Sequence, residues 1–280
     1  MSEHNTRPRQ VAVCSWSLQP TNPQQLIEAV SSCGMDAVQL ALSPIVEQPE
    51  LWGRAITMLR DAGITIVSGM MAFRGEDYST LASIATTGGV RPDLTWPDNH
   101  RHAARVAELA SQHGIHLVTF HAGFLPHERH DPERSKLLDR LRIIAKLFQD
   151  RGIELAFETG QETAATLSAA LAELACPNIG VNFDPANMIL YGMGDPVSAL
   201  RHLAQHVRQL HIKDAVASPV PGEWGTEVPA GEGDVDWPGV FEAIGAITRP
   251  IDLIIEREAG DHRIQGVRTA LRLIRPFIDD

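Results

Sequence analysis

Ile153-Glu154-Leu155-Ala156-Phe157-Glu158-Thr159-Gly160, then residues 163–175, then Ile179-Gly180-Val181-Asn182-Phe183-Asp184-Pro185-Ala186-Asn187, read as one strand, helix and strand. The outer pieces are short apolar runs, and the middle one repeats apolar residues at three- and four-residue spacing. The same alternation extends in both directions. Strands are predicted at 11–19, 37–42, 64–73, 115–123, 153–160, 179–187, 207–214 and 251–260, and helices at 22–33, 50–62, 97–113, 132–151, 163–175, 196–206, 237–247 and 262–278. Several helices close on a glycine junction, as in Cys33-Gly34, Ala62-Gly63, His113-Gly114 and Arg151-Gly152, which suits a left-handed cap leading into a strand.

Alternating strands and helices imply a parallel sheet, and eight units is the count that closes a (β/α)8 TIM barrel. An open nucleotide-binding sheet is disfavoured because Ser15-Trp16-Ser17-Leu18-Gln19-Pro20 follows the first strand where a Gly-x-Gly-x-x-Gly turn would stand. The expected organisation is a disordered tail at 1–10 and a single α/β barrel domain at 11–280. Two connections are expanded, 74–96 after strand 3 and 215–235 after strand 7. Both follow strands, so both are expected to cover the C-terminal mouth, where active sites of such barrels lie.

Composition narrows the function. The 280 residues carry 24 Lys+Arg against 35 Asp+Glu, a net charge of −11, which argues against a nucleic-acid partner. No stretch approaches the roughly 20 apolar residues of a membrane span. Three cysteines without CxxC spacing, Cys14, Cys33 and Cys176, fit free thiols in a reducing compartment, and a cytoplasmic location is expected.

The last four strands end on ionisable groups: Phe157-Glu158-Thr159, Phe183-Asp184-Pro185, Leu210-His211-Ile212 and Ile255-Glu256-Arg257. Carboxylates aimed into one cleft repel unless a cation sits among them. One divalent metal ion is therefore expected. Three carboxylates and an imidazole suit Mn²⁺, taken first, with Mg²⁺, Co²⁺ or Zn²⁺ as alternatives. Such an ion acidifies the proton beside a carbonyl, and a flanking carboxylate can then move it.

These motifs, with Gly231-Glu232-Gly233-Asp234-Val235-Asp236-Trp237, resemble the xylose isomerase-like TIM barrel superfamily, in its sugar phosphate isomerase and epimerase branch. The resemblance covers essentially the whole chain. It implies metal ligation by Glu158, Asp184, His211 and Glu256, with Glu158 and Glu256 on opposite faces of the substrate as the proton-moving, catalytic pair. It also implies a small carbohydrate substrate and a homo-oligomer, dimer or tetramer. Asn187 stands where the DNA-repair members and the tagatose-type epimerases place a histidine; the acidic charge and the lack of an Asp-x-His beyond His211 also argue against DNA repair, and Ala217, where tagatose-type epimerases place an arginine, argues against that specificity. The His-x-Lys-Asp of strand 7 is more similar to inosose dehydratase and ketopentose-phosphate epimerase members.

His121, Lys213, Asn187, Trp16, Trp224 and Glu258 are read as substrate-binding residues. Trp16 and Trp224 would offer apolar ring faces or close a lid. Lys213 shares a strand face with His211 and either reaches the pocket or pairs with Asp214 at the rim. Glu258 would support Glu256, with Arg257 facing away. His102, His113, His127, His130, His202 and His206 are read as surface residues. The expected activity is a metal-dependent isomerase or epimerase acting through an enediolate on a keto sugar or its phosphate. The alternative on the same scaffold is a lyase, a keto-inositol dehydratase or a 3-keto-glycoside β-eliminase; a non-catalytic sugar-binding protein is a third reading. The absence of a Gly-rich phosphate cradle after strands 7 and 8 favours an unphosphorylated substrate.

Overall fold

Short β-branched and apolar runs become largely buried strands because helices cover their outer faces. In the computed structural model, which describes residues 8–278, these are Val11–Cys14 (β1), Ala37–Ala41 (β2), Thr65–Met70 (β3), Leu117–Phe120 (β4), Glu154–Glu158 (β5), Ile179–Phe183 (β6) and Val207–Ile212 (β7). Asp214–Val216 (β8) and Thr226–Val228 (β9) form a separate hairpin, and Asp252–Ile255 (β10) is the last barrel strand. The barrel is closed in the order β1-β10-β7-β6-β5-β4-β3-β2, and every neighbouring pair is parallel. This is a single (β/α)8 TIM barrel.

Alternation along each strand divides its side chains between two environments. Outward residues such as Phe120, Phe157 and Phe183 pack against the helices, and Phe73, Phe120 and Phe157 meet edge to face at 5.5 and 5.3 Å. Inward residues are smaller or polar: Cys14, Gln39, Thr119, Asn182 and His211 are all buried to 0 % exposure. The apolar core thus lies between sheet and helices, and the barrel lumen is left for polar chemistry.

Every predicted strand exists, but several stop short of the predicted C-terminal end. β1 ends at Cys14 and passes into a 3-10 turn, Ser15–Leu18, and β10 ends at Ile255. At the mouth the strands diverge and lose pairing partners, so the chain peels away and carries residues such as Trp16 and Glu256 over the lumen. The predicted helix 50–62 is instead two short helices, Pro49–Trp52 and Ala55–Asp61, preceded by an unpredicted one, Ser43–Glu47. Pro44 and Pro49 each occupy a first helical turn, where a missing N–H costs nothing, and so start new helices.

The expansion after β3 holds an unpredicted helix, Leu81–Thr87, capped reciprocally by Thr80 and Ser83. In the expansion after β7, Asp214 pairs with Val228 across the hairpin instead of extending the barrel strand. Of the predicted tail, residues 1–7 lie outside the described residues, as do 279 and 280 at the other end; Gln10 donates its N–H to Asp252 Oδ1 at 3.0 Å beside the barrel. The three cysteines are free, and no described helix is long and apolar enough to cross a membrane.

The loop leaving β5 buries Glu162, and burial alone pushes its carboxyl up to about 8. The N-terminus of the next helix, Ala164–Leu174, favours an anion by only about 0.3–1 kcal/mol, too little to reverse this. The folded chain therefore keeps this proton to higher pH than the unfolded chain does. Stability falls as pH rises from the usual glutamate range to about 8. Glu162→Gln should melt at the same temperature as the parent at pH 4.5 and several degrees higher at pH 8. Equal melting temperatures at both pH values would mean that the carboxyl is ionised and satisfied.

Candidate metal centre

Four consecutive barrel strands bring Glu158, Asp184, His211 and Glu256 to one point. Glu158 is the last residue of β5. Asp184 follows β6 and caps the helix Pro185–Leu190, its Oδ1 accepting the N–H of Asn187 at 2.9 Å. His211 lies within β7, and Glu256 follows β10 with its N–H bonded to Ile212 O. One ligand atom from each of the four lies within 4.8 Å of the others, and all four residues are buried. His211 Nδ1 is 3.4 Å from Asp184 Oδ2, 3.4 Å from Glu256 Oε2 and 3.7 Å from Glu158 Oε1.

The orientation of the imidazole is fixed from behind. Gln39 donates to Thr119 Oγ1 at 2.9 Å, which turns its Oε1 to within 3.0 Å of His211 Nε2. Nε2, which also lies 3.0 Å from Asn182 Nδ2, thus points away from the carboxylates, and Nδ1 faces them. His211 Nδ1 and Asp184 Oδ2 are buried without a hydrogen-bond partner. A lone pair aimed at carboxylate oxygens is satisfied only by a proton or a cation. The three oxygen donors and one nitrogen donor fit a divalent ion.

Above this floor opens a cavity of about 610 Å³, and Trp16, His121, Asn187, Lys213, Trp224 and Glu258 all line it. Trp16 does more than offer a ring face: its indole N–H donates to Glu256 Oε1 at 2.7 Å. Lys213 does not pair with Asp214; its Nζ donates to Glu256 Oε2 at 2.8 Å and Glu258 Oε2 at 2.6 Å. Asp214 instead accepts from the N–H groups of Gly231 and Val235 and from the Trp237 indole, which ties down the long loop after β7. Arg257 turns away from the floor to Glu227.

Asn187 Nδ2 donates to Glu158 Oε1 at 2.8 Å, and His121 Nε2 stands 3.8 Å from the same oxygen. Gly160, at φ +134°, makes the Asn187 contact possible, since a Cβ there would lie 2.6 Å from Asn187 Cβ. Trp224 packs edge-on against Tyr191 at 4.6 Å.

Sequence reasoning missed Glu76, Tyr78, Tyr191 and Glu227, which also line the cavity, and Gln39 behind it. A signal was available for two of them: the chain has 2 tyrosines, and both fall in segments that follow barrel strands. His102 is not on the surface. It is 5 % exposed and 2.8 Å from Ser43 Oγ, because it falls on the inner face of the helix Trp96–Gln112 with Asn99, Ala103 and Val106.

The sequence profile of the xylose isomerase-like TIM barrel family matches residues 27–277. The chain belongs to this family. It is similar to a xylose isomerase domain protein from Planctomyces limnophilus, at 30 % identity and a TM-score of 0.83 with 96 % of each chain covered. Its fold is also that of the 3-keto-D-glucoside 4-epimerase YcjR from E. coli, at 15 % identity and a TM-score of 0.71, covering 96 % of this chain and 99 % of that one. A curated relative, the uncharacterized protein YihM of Escherichia coli (strain K12), is 29 % identical over 103 residues. That stretch spans 36 % of this chain and 31 % of the relative, less than a third of its length.

In this xylose isomerase-like barrel the two glutamates of the cluster differ in proton affinity. Burial first, then the charges of Glu256 and Asp184, push the Glu158 carboxyl up to about 8 despite the opposing pull of His211. Burial also disfavours the Glu256 anion, but Lys213 and His211 outweigh it and hold that carboxyl well below the usual range. Lys213 in turn is held charged: burial opposes it, and Glu256 and Glu258 prevail. This buried cluster, at the mouth of a barrel of this family, has the composition and spacing to hold one divalent metal ion.

Proposed function

We propose that the chain is a sugar isomerase or epimerase of the xylose isomerase-like family, moving a proton on the carbon beside the carbonyl of a keto sugar through an enediolate. The observation that carries this reading is geometric: two buried glutamates, Glu158 and Glu256, converge with Asp184 and His211 on one point at the barrel mouth, where a cation and a proton-moving carboxylate can act on the same substrate. When bound, a divalent ion, Mn²⁺ by preference, polarises the carbonyl and the neighbouring hydroxyl and makes the carbon-bound proton acidic. Glu158, Asp184, His211 and Glu256 hold it.

Glu158 takes the proton as a carboxylate placed at the cation site, within hydrogen-bond reach of groups that line the cavity. Asn187, bonded to Oε1, sets the direction of its carboxylate. Glu256 stands on the other side with Lys213 bonded to it, and this pair supplies a proton to the enediolate. One face gives isomerisation, and both faces give epimerisation. His121 and Trp224 contact sugar hydroxyls and ring faces from the wall, and Glu258 keeps Lys213 charged. The free thiols are those of a protein from a reducing compartment such as the cytoplasm.

The experiment is a panel of keto sugars incubated in D₂O with the Mn²⁺-loaded protein and followed by NMR. The expected result is deuterium on the carbon next to the carbonyl, together with conversion to an isomeric sugar and no loss of total sugar. An unsaturated product would transfer the chain to the lyases. No exchange with any member of the panel would overturn the proton-transfer reading.

A further inference from the structure

The cavity is larger and less polar than a single sugar ring requires. At about 610 Å³ it falls within the roughly 300–1,000 Å³ of sites that enclose drug-sized ligands. The hydrogen-bonding groups already described, Trp16, His121, Asn187 and Lys213, gather at the floor beside the cation site. On the side formed by β2, β3 and the segments leaving them, Ala41, Pro44, Met70 and Ala72 make an apolar strip, with Ser43, Glu47, Gln48 and Glu76 beside it.

The charges of the cavity are equally one-sided. Glu47, Glu76, Glu227 and Glu258 stand in its wall. Among the described residues, Lys213 is the one lysine or arginine lining it, and it already holds Glu256 and Glu258. Arg74 and Arg257, just outside, are committed to Glu47 and Glu227. A phosphate or carboxylate on the substrate would therefore find carboxylates and no uncommitted cation, at a cost that low-dielectric walls increase.

We infer that the apolar strip is a second subsite, and that the substrate is an uncharged keto sugar carrying an apolar substituent remote from its carbonyl. The sugar ring sits on the polar floor, and the substituent lies against Ala41, Pro44, Met70 and Ala72. This rests on the proposed sugar chemistry for the ring and adds the substituent and the absence of an anion. The aromatic residues Tyr78, Tyr191 and Trp224 also line the cavity, so a substituent bound there exchanges part of its water contact for apolar surface.

The test compares three ligands that differ at one position: a ketohexose with a free hydroxyl, a phosphate or a benzyl ether at carbon 6. Binding to the Mn²⁺-loaded protein is read by calorimetry, and deuterium exchange is read separately. The benzyl ether should bind about tenfold or more tighter than the free sugar, and the phosphate about tenfold or more weaker. Ala72→Lys, at an exposed position, should reverse the order of the benzyl ether and the phosphate. Ala41→Phe, which fills the wall, should erase the benzyl advantage.

Phosphate binding as tight as or tighter than the free sugar, or a benzyl ether that gains nothing, would overturn the subsite. If all three ligands bind in the expected order and none exchanges deuterium, the proton-transfer reading fails and the subsite stands. If the free sugar exchanges and the binding order is absent, the reverse holds.

Discussion

Glu158→Gln is expected to lower exchange of the substrate's carbon-bound proton by about 10³-fold or more while leaving a folded barrel. General-base catalysis by a positioned side chain is worth roughly 10²–10⁴-fold, and this residue also loses its charge at the cation site. The fold should tolerate the change because the buried site already favours an uncharged group, its carboxyl being held up to about 8. One cost is foreseeable. Asn187 and Asn182 each donate an amide N–H to one Glu158 oxygen, so the new amide nitrogen must face one donor. A clash of that kind leaves one hydrogen bond unmade, about 1–3 kcal/mol, and should show as a lower melting temperature with an unchanged circular dichroism spectrum. Asp184, His211 and Glu256 remain, so bound metal should persist at weakened affinity. NMR exchange in D₂O, with metal analysis of the same sample, separates the outcomes: metal retained and exchange within tenfold of the parent would remove Glu158 from the proton-transfer role.

The four cluster residues were legible because each occupies the same place in the repeat, the end of a strand, where the barrel itself does the gathering. Once eight strands are placed, Glu158, Asp184, His211 and Glu256 need no further information to converge. Gln39 and Thr119 were not legible for the opposite reason. They lie inside β2 and β4, and a polar residue alternating with apolar ones in a strand reads as solvent-facing, whereas in a closed barrel that face is the lumen. Glu76, Tyr78 and Glu227 come from long connections whose return to the mouth depends on tertiary contacts. Glu227 is held by the N–H groups of Glu258 and Ala259, and Glu76 by that of Gly89, none of which leaves a local pattern. His102 was legible and misread: counted at helical period from Asn99 to Val106, it falls on the buried stripe.

Removing the metal tests the centre at its root. Purified without chelator, the protein should carry about one divalent ion per chain, and stripping it should lower the melting temperature by about 10 °C, with activity lost in proportion. An ion present at about 1,000 times its dissociation constant stabilises the folded state by about 4 kcal/mol, and a kcal/mol moves the midpoint of a chain this size by about 2–4 °C. The stripped site is not left with bare charge. Burial works against a charged His211, but Glu256 and Glu158 outweigh it and hold the imidazole protonated well above its ordinary range. Glu158 holds a second proton up to about 8. These protons and the ion compete for the same lone pairs, so binding must release them, and the ion's affinity should fall steeply as pH drops from about 8 toward 6. Calorimetric titration of Mn²⁺ in buffers of different ionisation enthalpy reads the released protons directly. A melting temperature indifferent to chelation and Mn²⁺ return would mean that the four side chains satisfy one another and hold no ion, and binding with no proton release would place the ion away from His211 and Glu158.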